Sequence, residues 1–450
     1  MRFELTKEFL DEVRDMIAQN NSAFVDQKVI HLHPADIAEI VDELDNQEAK
    51  YIFAHLDNDL QGDVLMELED DVRYQFVESF ATEQLAKQLE NLDSDDAVDI
   101  LGELEVDRQL EVIAEMESDN AEQLVRLLNY DEDTAGGLMQ TEFIRAKLDW
   151  PVNRCVVELR RQAEEVEKVY TIYVVDEYDH LVGFLSLKSL LFAGPKSHIR
   201  DIFQDKNMVY VTTNVEAEEV GRIMEKYDLV SIPVLNLQKK LVGRITIDDI
   251  VDVIREEADK DFQMASGISE SVEASASVWK MSRSRLPWLM IGMLGGILGA
   301  QVIGNFEGQI GKIPALAFFI PLVAAMGGNV GVQSSAIVVQ SIANGTNQFS
   351  SIWSKVKREA GLGLLNGLIC SSVIFVVTGL LETITLGISV SIALFIVIVF
   401  AAIFGTLIPL VLNKYKIDPA VATGPFITTL NDVVGLFIYF MVGMAIFGLE

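Results

Sequence analysis

The sequence FITTLNDVVGLFIYFMVGMAIFG, residues 426–448, is long and apolar enough to cross a membrane, which indicates a membrane protein. It contains a single charged side chain, Asp432. A lone carboxylate at membrane depth costs at least ~2.5–3.5 kcal/mol on insertion scales, so it persists where it faces water or a cation. An acid that snorkels from a helix end is the alternative, but Asp432 lies several residues inside the apolar run. The stretch therefore predicts a membrane helix that lines an ion pathway.

Four further apolar stretches precede it, each near the ~20 residues that a crossing helix needs. The predicted spans are 286–304, 315–342, 360–381, 388–412 and 425–448. Basic residues cluster before the first span, between the second and third, and between the fourth and fifth: Lys280, Arg283, Arg285, Lys355, Lys357, Arg358, Lys414 and Lys416. By the positive-inside rule, we expect the N-terminus in the cytoplasm and the C-terminus outside. The opening residues MRFELTKEFLDEVRD lack an apolar core, so we expect no signal peptide.

The charge of the chain is confined to one part of it. From Leu286 onward six basic residues match six acids, so the net charge of −33 belongs to residues 1–285, which hold 29 bases and 62 acids. Such an acidic region is repelled by nucleic acid and by anionic lipid headgroups, which excludes a nucleic-acid partner. Metal cations are its natural partners, and a merely solubilising acidic surface is the alternative.

Residues 32–128 carry a repeat with a period of twelve. Large apolar residues mark it at Leu32, Leu44, Leu56, Leu68, Phe80, Leu92, Leu104, Met116 and Leu128. Two residues past each marker, the sequence mostly offers good helix N-caps: Pro34, Asn46, Asn58, Asp70, Thr82, Ser94, Val106 and Ser118. The pattern predicts a stack of short helices, an α-solenoid of roughly eight units that serves as a docking surface.

From about Leu138 the pattern changes to β-branched runs that alternate with helices. Residues 173–190, YVVDEYDHLVGFLSLKSL, resemble residues 233–250, PVLNLQKKLVGRITIDDI, and the pair is identified as a tandem of CBS domains. Such pairs often bind ATP or another adenosine nucleotide, and many bind nothing. The resemblance places the nucleotide contacts at Ser186, Lys188, Thr246 and Asp249. The first copy has Ser189 where the second has the ribose-binding acid.

Two further segments point to the ion pathway and its control. Residues 249–285 form a polar, helix-prone link that leads straight into the first span, so whatever holds the link can act on the pore. Glycines and amides interrupt the second span at PLVAAMGGNVGVQSS, residues 321–335, and Thr423-Gly424-Pro425 precedes the last span. Breakers at membrane depth are tolerated where they line water or protein. We therefore expect interrupted helices with exposed carbonyls in spans two and five.

The whole arrangement resembles the MgtE family of magnesium channels. Its most specific pieces are YDEDTAGGLM (130–139), PLVAAMGGNVGVQSS and DPAVATGPFITTLNDVVG (418–435). The resemblance implies a multidomain membrane protein with an all-α superhelical N-terminal domain, α+β tandem CBS domains, a long connecting helix and an all-α transmembrane domain of five helices. The corresponding boundaries are 1–130, 131–200, 201–255, 256–285 and 286–450.

The resemblance also implies a homodimer in the cell membrane, with one pore on its axis for Mg²⁺ uptake and a gate that cytosolic Mg²⁺ closes. Asp432 would line the pore and Asp418 its cytoplasmic mouth. The remaining metal positions would be Asp63, Asp95, Asp99, Gly136, Glu216, Asp228, Asp249, Asp252, Glu257 and Asp261. Three positions depart from the family pattern, which has Asn at Gly424, Asn at Val332 and an acid at Lys260.

A second hypothesis is a CBS-regulated transporter of another divalent cation, such as Co²⁺. An enzyme is not indicated, because the chain has five histidines and no nucleophile–base motif. The phosphate-binding motif of transport ATPases is also missing from the sequence, which favours passive flow.

Overall fold

The computed structural model describes residues 3–163, 166, 168–194, 196–269, 272, 277–343, 351–422 and 424–448. The chain forms two compact units, Met1–Arg255 and Glu256–Glu450. The first unit contains the repeat and the α+β domains, and the second contains the membrane helices.

The first unit opens with ten short helices: α1 (Lys7–Ala18), α2 (Ser22–Lys28), α3 (Pro34–Asp42), α4 (Asn46–Phe53), α5 (Asn58–Glu67), α6 (Asp70–Ser79), α7 (Thr82–Leu89), α8 (Ser94–Glu103), α9 (Val106–Glu115) and α10 (Ser118–Leu127). Helices α3 to α10 start every twelve residues, which confirms the predicted helical repeat. Equivalent positions are buried in each repeat and are apolar in all but one, for example Ile40, Ile52 and Val64, with Gln88 as the exception. The period therefore reflects one helix per repeat, each with its apolar face in a shared core.

The predicted N-caps were wrong by one residue. The predicted capping residues are the first residues of the helices, and the residue before each one is the cap. The Asp45 carboxylate accepts hydrogen bonds from the backbone N–H groups of Gln47 at 2.8 Å and Glu48 at 2.9 Å. Aspartate caps as well as asparagine does, so the sequence Asp45-Asn46 allowed both assignments.

The α+β part comprises β1 (Ile144–Lys147), α11 (Val152–Gln162), β2 (Ile172–Val175), β3 (Leu181–Leu185), α12 (Leu187–Phe192), β4 (Val211–Thr212), α13 (Ala217–Tyr227), β5 (Ser231–Leu235) and β6 (Leu241–Thr246). The strands form two three-stranded sheets, ordered β1-β2-β3 and β4-β5-β6. In each sheet the first pair is parallel and the second antiparallel. This shared topology agrees with the internal repeat. The sequence patterns missed β1, because its residues alternate between apolar and charged within only four positions.

Helix α14 (Ile247–Ala265) follows β6 directly and is the connecting helix. It ends where Gly267 takes φ +82° and the Ile268 N–H donates to the Gln263 carbonyl at 2.9 Å. This is a glycine-terminated helix end of the Schellman type. The next helix, α15, begins only at Val278. The expectation of one connecting helix across 256–285 was therefore wrong, because Gly267 stops the helix.

The second unit contains α15 (Val278–Asn305), α16 (Glu307–Lys312), α17 (Ile320–Ala343), α18 (Ile352–Leu381), α19 (Ile384–Lys414) and α20 (Gly424–Phe447). Short 3₁₀ segments lie at Pro314–Phe319 and Pro419–Ala422. Among the described residues, five helices are long and apolar enough to cross a membrane, which confirms the five predicted spans.

The predicted interruption of the second span was wrong. Helix α17 runs unbroken through the glycine-rich run. Its glycines instead allow neighbouring helices to approach. A Cβ at Gly327 would lie 3.0 Å from Val397 of α19, and one at Gly328 would lie 3.0 Å from Thr428 of α20. Small residues serve this purpose in membrane helix packing. The other predicted interruption is Thr423-Gly424-Pro425. Thr423 lies outside the described residues, and α20 begins at Gly424.

Candidate metal sites and ion pathway

The intramembrane acid lies two turns into α20 and faces α17. A Cβ at Gly328 of α17 would lie 3.6 Å from Asp432 Oδ1 and 3.0 Å from Thr428 Cγ2. The missing side chain at Gly328 therefore leaves room beside the carboxylate. Asp432 is partly exposed within a single chain, so its charge is not enclosed by the chain's own helices. Such a half-exposed carboxylate can attract a hydrated cation.

The neighbouring residue fixes the position of this acid. Asn431 is 1% exposed and packs on Gly331 of α17, where an added Cβ would collide with the Asn431 amide and lie 2.7 Å from Ile427 Cγ2. On the other side, a Cβ at Gly405 of α19 would lie 2.5 Å from the Gly331 carbonyl oxygen. Helix α17 is thus held at Gly331 between α19 and α20. The sequence analysis missed Asn431 and Gly405, although an amide beside the acid was a visible signal.

Gly331→Ala should disturb the pathway strongly, because the new methyl group would meet α20 and push Asp432 away from α17. Overpacking of this kind costs ~1–3 kcal/mol when the neighbours can adjust. We expect a several-fold loss of Mg²⁺ flux in proteoliposomes. Gly361→Ala on α18 is the matched control, since a Cβ there meets nothing within 4 Å. Equal flux in both variants would contradict the packing argument.

The end of the connecting helix lies against the start of α20. Gly424 has φ +51°, and a Cβ there would collide with the carbonyl oxygen of Ala265, the last residue of α14. A Cβ at Gly267 would lie 2.8 Å from Pro425 Cγ. The backbone explains the Gly424 departure, because a positive φ and a close carbonyl both disfavour a side chain. A displacement of α14 would therefore reach the helix that carries Asp432.

Three predicted metal positions, which we call the mouth acids, are close together in the second unit: Glu257, Asp261 and Asp418. Burial raises the pKa of Asp261, Asp418 and Glu257 raise it further, and Lys260 opposes them. Lys260 Nζ donates to Glu257 Oε1 at 3.0 Å, so this departure partly neutralises one acid. The Asp418 carboxylate accepts from the Ala420 N–H at 2.8 Å. The mouth acids still form a concentrated negative charge.

A larger group of carboxylates forms where the first turn of α8 meets the first turn of α14. We call Asp95, Asp96, Asp99 and Asp249 the sensor acids. Burial raises the pKa of Asp95 well above its usual range, and the charges of Asp96 and Asp249 add to the shift. Burial and then Asp249 raise the pKa of Asp96 to about 8. Desolvation by neighbouring protein atoms also raises the pKa of Asp99 to about 7, although the residue is exposed on one side. These carboxylates lie in a region that disfavours their ionised forms.

Other charged groups surround the sensor acids. The predicted metal positions Asp63 and Asp252 contribute repulsion, the first on Asp96 and the second on Asp249. Arg73 lowers the pKa of Asp99, but its guanidinium is also hydrogen-bonded to Glu103. The structure therefore brings together five predicted positions, Asp63, Asp95, Asp99, Asp249 and Asp252. It adds Asp96, which the sequence analysis had not assigned as a ligand.

The sensor acids fit a hydrated divalent cation. Asp95 is 5% exposed, and its Oδ1 has no hydrogen-bond partner in the described part of the chain. A buried anionic oxygen without a donor favours a cation. Asp249 Oδ2, by contrast, accepts two hydrogen bonds, from the Thr246 backbone N–H at 3.2 Å and from the Thr246 hydroxyl at 2.9 Å. Within the described ranges, no three Asp, Glu, His or Cys side chains converge on one direct metal site. Mg²⁺ usually keeps several of its waters, so contact through water suits this arrangement.

The remaining predicted metal positions on the CBS pair lie elsewhere. The Gly136 N–H donates to the Thr213 carbonyl at 2.9 Å, and Thr134 is bridged to Glu216, which places the turn beside Glu216. Glu216 precedes the eleven-residue helix α13 and Asp228 follows it. A helix of that length separates its ends by ~16 Å, so the two acids cannot hold one ion together. Both acids are exposed.

The predicted nucleotide contacts fall at two helix starts. Ser186 Oγ lies 2.8 Å from Ser189 Oγ and accepts from the Ser189 N–H, so it caps α12, and Lys188 is exposed. Thr246 and Asp249 are hydrogen-bonded to each other at the start of α14. The Asp249 carboxylate thus belongs to both the predicted nucleotide contacts and the sensor acids.

The raised pKa values predict how stability depends on pH without metal. Between pH ~4, the usual pKa of aspartate, and pH ~8, the folded form binds more protons than the unfolded form. The free energy of unfolding should therefore fall as the pH rises through this window. In EDTA, the melting temperature of the full chain in detergent should be lower at pH ~8 than at pH ~5. Millimolar Mg²⁺ should flatten the profile, because the cation replaces the protons. A higher melting temperature at the alkaline end in EDTA would contradict this electrostatic assignment.

The five apolar helices, the intramembrane acid and the acidic unit with two CBS-type sheets define a multi-pass membrane transporter of cations with an acidic part outside the membrane helices. Family models match consecutive parts of the chain: the MgtE intracellular N domain over 32–133, the CBS domain over 135–196 and 199–256, and the MgtE divalent cation transporter over 320–442. The magnesium transporter MgtE of Bacillus subtilis is 34% identical over 320 residues, 71% of each chain. That of Thermus thermophilus is 35% identical over 323 residues, 70% of each chain. The chain belongs to the MgtE family of magnesium transporters.

Solved structures agree with the fold of the first unit. The cytosolic domain of the Mg²⁺ channel MgtE in complex with ATP is 29% identical with a TM-score of 0.52, covering 54% of this chain and 99% of that one. The soluble part of a magnesium transporter is 26% identical with a TM-score of 0.51, covering 56% and 99%. The full-length relatives are named as transporters and not as enzymes, in line with the prediction from sequence.

Proposed function

We propose that this chain forms a passive channel for Mg²⁺ uptake across the cell membrane, which cytosolic Mg²⁺ closes. The observation that carries the proposal is the course of α14. Its first turn contributes Asp249 to the sensor acids, and its last residue lies against Gly424 at the start of α20. One helix thus begins at a cation-attracting cluster and ends on the helix with the pore acid. The proposal keeps the predicted orientation, with the N-terminus in the cytoplasm and the C-terminus outside.

Mutual repulsion supplies the opening force in this proposal. Without Mg²⁺, the ionised sensor acids repel one another across the contact between α8 and α14, and the mouth acids repel one another near the start of α20. Each Mg²⁺ offsets two negative charges, so bound ions let the carboxylates stay close and hold α14 in place. Carboxylates that bind Mg²⁺ through its water molecules leave the ion largely hydrated, so we expect closure at millimolar concentrations. Glu216 and Asp228 would then hold separate ions, with the backbone at Gly136 beside Glu216.

The pore in this proposal belongs to a homodimer. One carboxylate per chain is a weak site for a dication, and a twofold axis would place two copies of Asp432 face to face. The face of α15 with Gly292 and Gly296 supports a further contact, because a Cβ at either position meets nothing within 4 Å. Light scattering of the detergent-solubilised protein should give the mass of a dimer, and an active monomer would rule the dimer out.

We propose five segments as the domains of the chain: 1–130, 131–200, 201–255, 256–285 and 286–450. Helix α14 ends at Ala265, within the fourth of these segments. We also propose that the CBS pair binds ATP or another adenosine nucleotide through Ser186, Lys188, Thr246 and Asp249. The ATP complex of a related cytosolic domain supports nucleotide binding. The short side chain of Ser189 in the first copy favours the second copy as the ribose contact.

Flux measurements distinguish Mg²⁺ from Co²⁺ as the main cargo. The purified full chain in liposomes should pass Mg²⁺ down its gradient without an energy source, and Ca²⁺ much less. A single carboxylate per chain that acts through water discriminates by hydrated size and charge, which favours the strongly hydrated Mg²⁺ over Ca²⁺. Faster Co²⁺ than Mg²⁺ flux at equal concentration would favour the second hypothesis. Protein with Asp432→Ala is the control for leak.

A further inference from the structure

A buried chain of side chains joins one sensor acid to the second CBS-type sheet. Gln140 Nε2 donates to Asp95 Oδ2 at 3.1 Å, and Gln140 Oε1 accepts from Arg244 Nε at 2.8 Å. Asp95 and Gln140 are each 5% exposed, and Arg244 on β6 is 3% exposed. The backbones of Gln140 and Arg244 also exchange two hydrogen bonds of 2.9 Å. Gln140 is therefore held on β6 by both its backbone and its side chain.

The far side of Arg244 is equally well fixed. Its NH1 group donates to the Lys168 carbonyl at 3.0 Å, and the guanidinium lies 6.0 Å from the centroid of the Tyr170 ring. Among the described residues, Arg244 forms no ion pair with a carboxylate, and its side chain donates to the Gln140 amide and the Lys168 carbonyl. The nearest anion along this hydrogen-bonded chain is Asp95, which Arg244 reaches only through the Gln140 amide.

The chemistry of arginine determines how the amide is oriented. A guanidinium only donates hydrogen bonds, so the Gln140 oxygen must face Arg244 and its NH₂ group must face Asp95. The Gln140 amide therefore lies between the two charges: it accepts from the Arg244 guanidinium and donates to the Asp95 carboxylate. Asp95 Oδ2 is occupied in this way, while Oδ1 has no hydrogen-bond partner among the described residues, and the carboxylate as a whole is repelled by Asp96 and Asp249. A fixed carboxylate with one free oxygen is arranged to receive a ligand from one side.

We propose that Gln140 and Arg244 are positioning residues for Mg²⁺ sensing. They hold Asp95 so that Oδ1 faces the cation, and they attach the sensor acids to β6 and to the segment at Lys168 and Tyr170. This inference rests on the proposed function, in which the sensor acids bind Mg²⁺. Loss of either residue frees Asp95 to rotate, so the cation must order the carboxylate when it binds. Charge-assisted hydrogen bonds of this kind predict about a tenfold increase in the half-saturating Mg²⁺ concentration.

The test uses the full chain in detergent and the Mg²⁺ concentration that gives half-maximal protection from trypsin. Gln140→Met and Arg244→Met should each raise this midpoint about tenfold. Arg244→Lys, which keeps a cationic donor, should recover much of the loss. Gln162→Met is the matched control, because Gln162 also bonds through both amide atoms, to the Arg145 backbone N–H at 2.9 Å and carbonyl at 3.1 Å. That control should keep the wild-type midpoint.

A double-mutant cycle separates positioning from a general structural role. In the Asp95→Asn background, Gln140→Met should leave the midpoint where Asp95→Asn alone puts it. If Gln140→Met shifts the midpoint equally with Asp95 and with Asp95→Asn, the proposal is overturned. A wild-type midpoint for Gln140→Met, or a midpoint at a lower Mg²⁺ concentration for Arg244→Met, would also overturn it. If Gln140→Met does not fold, Arg244→Met and Arg244→Lys decide the matter in the same cycle. Wild-type protein without Mg²⁺ protection would overturn the proposed sensor itself, which is visible before any variant is tested.

Discussion

Replacing Asp432 with alanine should reduce Mg²⁺ flux in proteoliposomes to the leak level of protein-free liposomes. Asp432 is the one charged side chain of α20, and its carboxylate lies beside the space that the missing side chain of Gly328 leaves. Removal of its charge takes away the attraction that offsets the cost of bringing a dication into the membrane. The protein should still fold, because alanine at a partly exposed position leaves no buried group without its partner.

Asp432→Asn separates charge from shape. The amide keeps the size of the side chain but attracts a hydrated dication far less, so Mg²⁺ flux should fall strongly and selectivity over Na⁺ should be lost. Glu382→Gln is the matched control, since Glu382 is an exposed acid of the same unit at the end of α18. Wild-type flux in the alanine variant would exclude Asp432 from the pathway.

Neutralising Asp95, Asp249 and Asp252 together should leave the channel open at millimolar cytosolic Mg²⁺. Asp95 and Asp249 belong to the buried cluster, and Asp252 adds to the repulsion on Asp249. Without these charges, Mg²⁺ has little left to bind between α8 and α14, so it can no longer hold α14 in place. Flux at high cytosolic Mg²⁺ should approach the flux of the wild type at low Mg²⁺.

The control for this triple variant removes the same charge elsewhere. Glu105, Asp107 and Glu115 are exposed acids at or on α9. Their replacement by amides should leave Mg²⁺ closure intact, which excludes net charge alone as the cause. A triple sensor variant that still closes at the wild-type concentration would show that closure depends on other residues.

The sequence predicted best those features that repeat or that follow from composition. The twelve-residue period, the five apolar spans and the duplicated strand–turn–strand pattern each rest on many residues that agree. Local ambiguity caused the smaller errors, as at Asp45-Asn46, where both residues make good caps. The glycines of α17 were misread because a glycine that breaks a helix and one that admits a neighbouring helix look the same in sequence.

The sites were predictable only where charge or a family motif marks the residue. Asp95, Asp99 and Asp249, which the family resemblance marks as metal positions, lie in one cluster, and Asp96 lies in the same cluster without such a mark. Gln140 and Arg244 carry no local signal, because their roles depend on a contact between residues 104 positions apart. Gly331, Gly405 and Asn431 belong to the same class, since three different helices bring them together. Gly424 gave a visible departure from the motif, but its reason is the Ala265 carbonyl.

Channel current in excised inside-out membrane patches measures closure by cytosolic Mg²⁺ directly, because the cytosolic face can then be bathed in defined solutions. We predict frequent openings in EDTA and a reversible fall in open probability as Mg²⁺ at that face rises into the millimolar range. Monovalent salt at equal ionic strength should not reproduce the fall. An open probability that stays constant as cytosolic Mg²⁺ rises would contradict the account and leave the acidic unit as solubilising charge.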